Sequence, residues 1–212
     1  MERIEQRELN IQPFEIINVC GDRRKDTGKP KLLLHSCCGP CSTVALERLS
    51  DAYSIYLLFY NPNITEEGEY IRRKNTQERF IFDFNERIKT LNRVTYIEGL
   101  YEPEIFLETV KGLEEEPEGG ARCSLCFKMR LEKAAEMTVL KDCEYFSTTL
   151  SVSPHKDFEL IQKIGVDIGM RYKISFLAVD LKKQGGYQKS IEMSKTYDLY
   201  RQNYCGCRFS AK

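Results

Sequence analysis

The sequence lacks any run of about 18 apolar residues, the length at which a helix can cross a membrane, and its start, "MERIEQRELN", has no apolar stretch of signal-peptide length. The expectation is a cytoplasmic protein with no membrane partner. It also lacks an excess of either charge, since Lys plus Arg and Asp plus Glu stand at 32 each. A chain-wide field for nucleic acid or lipid is thereby excluded, and any polyanion must meet a local patch. Internal repeats and low-complexity tracts are absent as well. With 42% apolar residues in 212, the chain can bury one sizeable core, which excludes a disordered polymer.

What the chain does have is cysteine, nine in all. In an unexported protein that usage points to metal or redox chemistry rather than to structural disulfides. Seven of the nine fall in three tight groups: Cys37, Cys38 and Cys41; Cys123 and Cys126; Cys205 and Cys207. Cys20 and Cys143 stand alone and read as a loop thiol and a small buried hydrophobe.

Residues 1–30 form a polar arm ending in "GDRRKDTGKP". From residue 31 to 212 the pattern is that of a single α/β catalytic domain. "KLLLHS", "SIYLLFY", "RVTYIEGL", "EYFSTTLSV" and "KISFLAV" read as strands. Helices are expected over "CSTVALERLSDA", "EEGEYIRRKNTQERFIFDFNERIKTL", "EPEIFLETVKGL", "CSLCFKMRLEKAAEMTVLK", "SPHKDFELIQKIGVDIGM" and "GYQKSIEMSKTYDLYRQ". Such alternation predicts a doubly wound, mostly parallel sheet of about five strands with helices on both faces. In that Rossmann-like architecture ligands sit beyond the carboxyl ends of the strands, and that rule gathers the chemistry on one edge.

The first cysteine group follows the first strand, where Gly39 permits a tight turn and Pro40 suits the first turn of a helix. Its thiols then crown a helix N-terminus, where free amides and the helix dipole favour thiolate, the form that binds metal. Cys123 and Cys126 repeat the device after "GGAR", with Arg122 adding positive charge. A tetrahedral zinc site closes with four ligands, fewer than these seven thiols, so the count favours a 4Fe-4S cluster with cysteines left over for redox work. The pair in "YCGCRFS" differs in kind. Cysteines two apart close a strained ring on oxidation, and strained, exposed disulfides are the labile, catalytic ones. Completion of a metal site begun elsewhere is the other reading of that pair.

Taken together, "LLLHSCCGPC", "FYNPNI" with "EY" shortly after, "GLEEEPEGGARCSLCFKMRLEKAAE", "TTLSVSPHK" and "GGYQKSIEMSKTYDLYRQNYCGC" resemble the QueH family of epoxyqueuosine reductases over residues 31 to 208. The resemblance implies the last step of queuosine synthesis: cobalamin-independent reduction to an alkene of the epoxide carried by the wobble base of tRNA. Two electrons and two protons are needed, from an electron donor that the sequence does not identify. No stable protein partner is expected, and the arm lies outside the resemblance.

On this resemblance Cys37, Cys38, Cys123 and Cys126 ligate the cluster, while Cys205 and Cys207 cycle between dithiol and disulfide. Cys41, on the same helix face as Cys37 and Cys38, either replaces one of them or helps bind an additional iron ion with Asp180 as oxygen ligand. That iron would act as a Lewis acid on the epoxide oxygen. Asp180 reads equally as an N-cap. Proton donors are His155, Tyr187, Tyr204 or water, and His35 reads as a core histidine. For the tRNA, Arg72 in "YIRRK" and Lys182 and Lys183 in "LKKQGGYQK" supply basic patches, which are otherwise solvated helix faces. Tyr60, Asn61 and Asn63 could take a flipped-out base, or serve only the turn. Two other classes fit parts of the pattern: an iron–sulfur-dependent tRNA-sulfurating enzyme of the pyrophosphate-loop class, and a non-catalytic, zinc-stabilised tRNA-binding module.

Overall fold

A computed structural model describes residues 28–87 and 93–210. Cys20, most of the polar arm and the end of the expected second helix lie outside the described residues. The elements run β1 (Lys31–Ser36), α1 (Gly39–Leu49), β2 (Ser54–Phe59), α2 (Glu67–Arg87), β3 (Thr95–Glu98), α3 (Pro103–Thr109), α4 (Ala121–Leu140), β4 (Tyr145–Thr148), α5 (Phe158–Tyr172), β5 (Ser175–Phe176) and α6 (Gly186–Thr196). A 3-10 turn, Thr149–Val152, follows β4 directly.

All five strands are parallel, in the order β3-β2-β1-β4-β5. The doubly wound α/β expectation is therefore met. The winding reverses between β1 and β4, so the crevice for ligands opens beyond their carboxyl ends. The pleat divides the central strand between two cores. Leu32 and Leu34 join α1 and α2 on one face, and Leu33 joins α4 and α5 on the other. All three leucines are fully buried, and each contributes roughly 1.5–3 kcal/mol, so β1 anchors both layers and the loop that leaves it.

Three expectations change in detail. The last strand is two residues long: the Leu177 amide still donates to the Phe146 carbonyl at 2.8 Å, and beyond it the chain is held by side chains, with Ser147 Oγ and Ser151 Oγ donating to the carbonyls of Leu177 and Val179, each at 2.8 Å. The last helix stops at Thr196 rather than running through Gln202. Asp198 takes a left-handed φ of 49° and the Leu199 amide closes back on the Ser194 carbonyl. Gly39 does not adopt a left-handed turn. A Cβ there would stand 3.1 Å from Thr76 Cγ2, so glycine serves the close approach of α1 to α2.

Candidate redox and metal centre

The loop leaving β1 is fixed by buried hydrogen bonds. Ser36 Oγ meets Ser42 Oγ and Gln77 Oε1, each at 2.6 Å, and Asn61 Nδ2 donates to the Ser36 carbonyl. This network sets Cys37 and Cys38 ahead of α1, with Cys41 in its first turn, and brings the three sulfurs within 4.8 Å of one another. Such a set is able to hold a metal ion. Cys37 Sγ lies 3.8 Å from Cys38 Sγ and accepts from the Thr149 hydroxyl at 3.4 Å. Hydrogen bonds from Cys38 and then Cys41 hold the Cys37 thiol well below the ordinary thiol range. The same bonding pushes Cys38 up to about 11 and Cys41 well above its ordinary value. The mutual hydrogen bonding thus favours the charged form at Cys37 over its two neighbours.

Cys123 and Cys126 occupy the first turns of α4, after Gly120 as N-cap. Cys123 Sγ accepts from the Gly119 amide at 3.2 Å, and burial raises the Cys126 thiol. Cys123 packs against the apolar layer that contains Cys37 and Cys38. Cys126 packs with Cys207, Phe106 and Val110 on its other side. The CxxC thus stands between the triad and the C-terminal pair.

Cys205 and Cys207 share one cleft with Cys123, Cys126, His155 and Lys156. A hydrogen bond from Cys207, reinforced by the Ser210 hydroxyl 3.0 Å from Cys205 Sγ, lowers the Cys205 thiol to about 4 and raises its neighbour far above the thiol range. All eight cysteines among the described residues are free.

Arg122 lines the same cleft as the thiols, but its guanidinium is engaged by backbone carbonyls. Its Nη1 donates to the carbonyls of Leu113, Glu114 and Glu116 and braces the loop ahead of α4. The charges that reach the sulfurs belong to Arg130, buried one turn beyond Cys126, and to Lys156, whose ammonium favours thiolate at Cys37, Cys126 and Cys205. Sequence reasoning passed over both. The four-residue spacing of Cys126 and Arg130 on one helix was a usable signal, whereas Lys156 had only its place beside His155.

His35 is fully buried between Thr148 Oγ1 (2.8 Å) and the Tyr60 carbonyl (3.1 Å). A carbonyl only accepts, so Nε2 carries the proton and Nδ1 accepts from the threonine hydroxyl. Burial and Arg130 lower its pKa to about 3. With both nitrogens engaged, His35 is a neutral core residue, as expected.

The remaining candidates are dispersed. Asp180 lies in an adjoining pocket of about 510 Å³ with His155, Lys156, Lys182 and Lys183. Its Oδ1 is buried without a partner and its Oδ2 stands 3.9 Å from Lys183 Nζ. It caps no helix, for the N-cap of α6 is Gly185. His155 is exposed and borders both spaces. Tyr187 sits exposed on α6, away from the residues that line the cleft. Lys182 Nζ donates to the Lys156 carbonyl, and Arg72 covers the Tyr200 ring at 4.7 Å. Tyr60 is buried, with its hydroxyl 3.5 Å from Glu102 Oε2. Asn61 and Asn63 point inward. Asn63 Nδ2 donates to the Cys205 carbonyl, so "YNPN" braces both the first and the last cysteine segments. Among the described residues no helix is long and apolar enough to cross a membrane.

The model of the family described as "Epoxyqueuosine reductase QueH" matches residues 32–212. The chain is similar to proteins of that name from Staphylococcus epidermidis (47% identical, covering 88% of this chain and 79% of the relative) and Streptococcus pyogenes (44% identical, 89% and 73%). It is also similar to the one from Thermotoga maritima (34% identical, 84% and 89%).

Proposed function

The chain belongs to the epoxyqueuosine reductase QueH family, and from that premise we propose how its residues divide the work of reducing epoxyqueuosine in tRNA. The sulfurating-enzyme and zinc-module readings find no support beside that membership. Removing the epoxide oxygen as water and leaving an alkene takes two electrons and two protons. Oxidation of Cys205 and Cys207 to a disulfide releases two electrons. With Cys205 already a thiolate, that oxidation frees one proton, from Cys207, and the second must come from elsewhere. His155 at the cleft mouth is the donor we assign, and water reaches the same place.

An all-thiol donor set is soft, and soft donors select iron–sulfur clusters or zinc over hard cations. Cys37, Cys38, Cys123 and Cys126 fit a 4Fe-4S cluster, with Cys41 the thiol in excess. When bound, such a cluster supplies one-electron transfer between the thiol pair and the substrate. An additional iron ion at Cys41, with Asp180 as its oxygen ligand, belongs to the same proposal. Lys182, Lys183 and Arg72 are assigned to the phosphates of the tRNA. Asn61 and Asn63 are assigned to holding the cysteine loops, with Tyr60 behind them.

The observation that carries this reading is the cleft in which the CxxC and the C-terminal CxC meet, next to the converged triad. Its test is iron, zinc and acid-labile sulfide per chain on anaerobically purified protein, together with turnover of epoxyqueuosine-containing tRNA. About four sulfides with four or five irons is the expected result. Zinc without sulfide would remove the cluster from the account.

A further inference from the structure

The C-terminal Cys-Gly-Cys belongs to no strand or helix, yet three consecutive carbonyls around it are tied down. Arg73, 2% exposed on α2, donates from Nη2 to the Tyr204 carbonyl (3.3 Å) and from Nη1 to the Cys205 carbonyl (3.0 Å). Asn63 Nδ2 adds a second bond to the Cys205 carbonyl at 3.1 Å, and the Thr65 amide takes the Gly206 carbonyl at 3.3 Å. Arg73 is itself oriented by Glu69, whose Oε1 accepts from Nε at 2.7 Å and whose two oxygens hold the Tyr200 hydroxyl. Gly206 has φ 102°, and a Cβ there would press on Ile64 and on Arg73 Nη1 at 2.8 and 3.0 Å. The backbone of the pair is thus seated on the guanidinium.

A buried ion pair is a weak source of stability but an effective way to specify one geometry. The geometry specified here is that of the dithiol, with both cysteines lining the cleft. Joining cysteines two residues apart closes a small ring and demands rotation of the intervening backbone. The tethered carbonyls oppose that rotation. We infer that Arg73, aided by Asn63, is a positioning residue that favours the dithiol over the disulfide of Cys205 and Cys207 and so makes the couple more oxidising and easier to re-reduce. No electron passes through Arg73. It biases the equilibrium in which the Cys205 thiolate and the Cys207 thiol give up two electrons and one proton to an external disulfide such as oxidised glutathione, which takes its second proton from solvent, yielding the internal disulfide and two glutathione thiols.

This inference rests on the reading of Cys205 and Cys207 as a redox couple. The test equilibrates the anaerobically purified holoenzyme in glutathione buffers of stepped ratio. The Cys205–Cys207 disulfide is then quantified by differential thiol labelling and peptide mass analysis. Arg73→Lys keeps the charge but loses the planar fork, while Asn63→Ala removes one bond and leaves the ion pair, so it reports even if the arginine variants fold poorly. Each is expected to stabilise the disulfide, by about tenfold for Arg73→Lys and about threefold for Asn63→Ala. Circular dichroism checks that the fold is intact. A wild type that titrates normally, with both variants within error of it or shifted the opposite way, overturns the clamp and leaves the couple standing. A wild type that forms no Cys205–Cys207 disulfide in any buffer overturns both.

Discussion

The first and last cysteine groups are held in opposite ways. Cys37, Cys38 and Cys41 sit where a central strand passes into a helix, with β2 and β4 paired on either side of β1 and a buried serine–glutamine network beneath the loop. Cys205 and Cys207 sit in irregular chain, held by side chains that reach across more than 130 residues. Three sulfurs able to hold a metal ion gain from a backbone that the sheet dictates. The pair proposed to open and close a bond gains from a backbone fixed by a few polar contacts, each worth only about 1–3 kcal/mol. Rigidity at one site and conditional order at the other is the arrangement expected of a ligand set beside a thiol couple.

Serine substitutions break that comparison most sharply. Cys38→Ser is expected to cut iron and sulfide per chain to a small fraction of wild type, and activity with it. Cys207→Ser is expected to keep the metal content within experimental error while abolishing repeated turnover. Metal analysis and a multiple-turnover assay on the same preparations decide the matter. Loss of iron in the Cys207 variant would make the C-terminal pair a ligand pair instead.

The same contrast explains what the sequence let one read. Apolar strand runs and helical periodicity came from local physics, so the parallel sheet and the cysteine edge were legible. The triad was legible because its three residues are neighbours in the chain. The seat of the last pair was not. Periodicity through Tyr197 and Leu199 suggested a longer helix, and nothing near "NYCGC" announces that its carbonyls bind Arg73 and Asn63. Arg72 drew attention in "YIRRK" as a tRNA contact, yet it is exposed on the Tyr200 ring while its neighbour Arg73 is the buried one. Lys156 and Arg130 were missed for a similar reason, since the charge they bring to the thiols depends on which way a side chain turns.

A smaller effect is expected from Gly206→Ala. An added Cβ meets Ile64 and Arg73 at a position whose φ of 102° already disfavours side chains, which costs about 1–3 kcal/mol. Because the segment belongs to no ladder, the strain should be relieved locally, by release of residues 204–207 from α2, rather than by unfolding of the sheet. Limited proteolysis and alkylation should therefore report faster reaction at Cys205 and Cys207, with iron content unchanged. A fall in iron, or a melting temperature lowered without any gain in C-terminal reactivity, would show that the two ends of the site are not separable in this way.

The triad end carries a pH-dependent contribution that the C-terminal pair has no part in, through His35. Its folded pKa of about 3 lies below the ordinary histidine value of 6.5, so below pH 6.5 the unfolded chain takes up a proton that the folded chain refuses. Stability from this site is therefore complete above about pH 6.5, falls as the pH drops toward 3, and changes no further below that. The slope is at most about 1.4 kcal/mol per pH unit. His35→Gln removes the titration. Urea unfolding of metal-free protein between pH 7.5 and 4.5 should find the variant less stable at the upper end, where the bonds to Thr148 and Tyr60 are lost or weakened. The gap should narrow steadily as the pH falls. A gap independent of pH would mean that His35 keeps an ordinary pKa in the folded protein, and that the strand end beneath the triad is open to water.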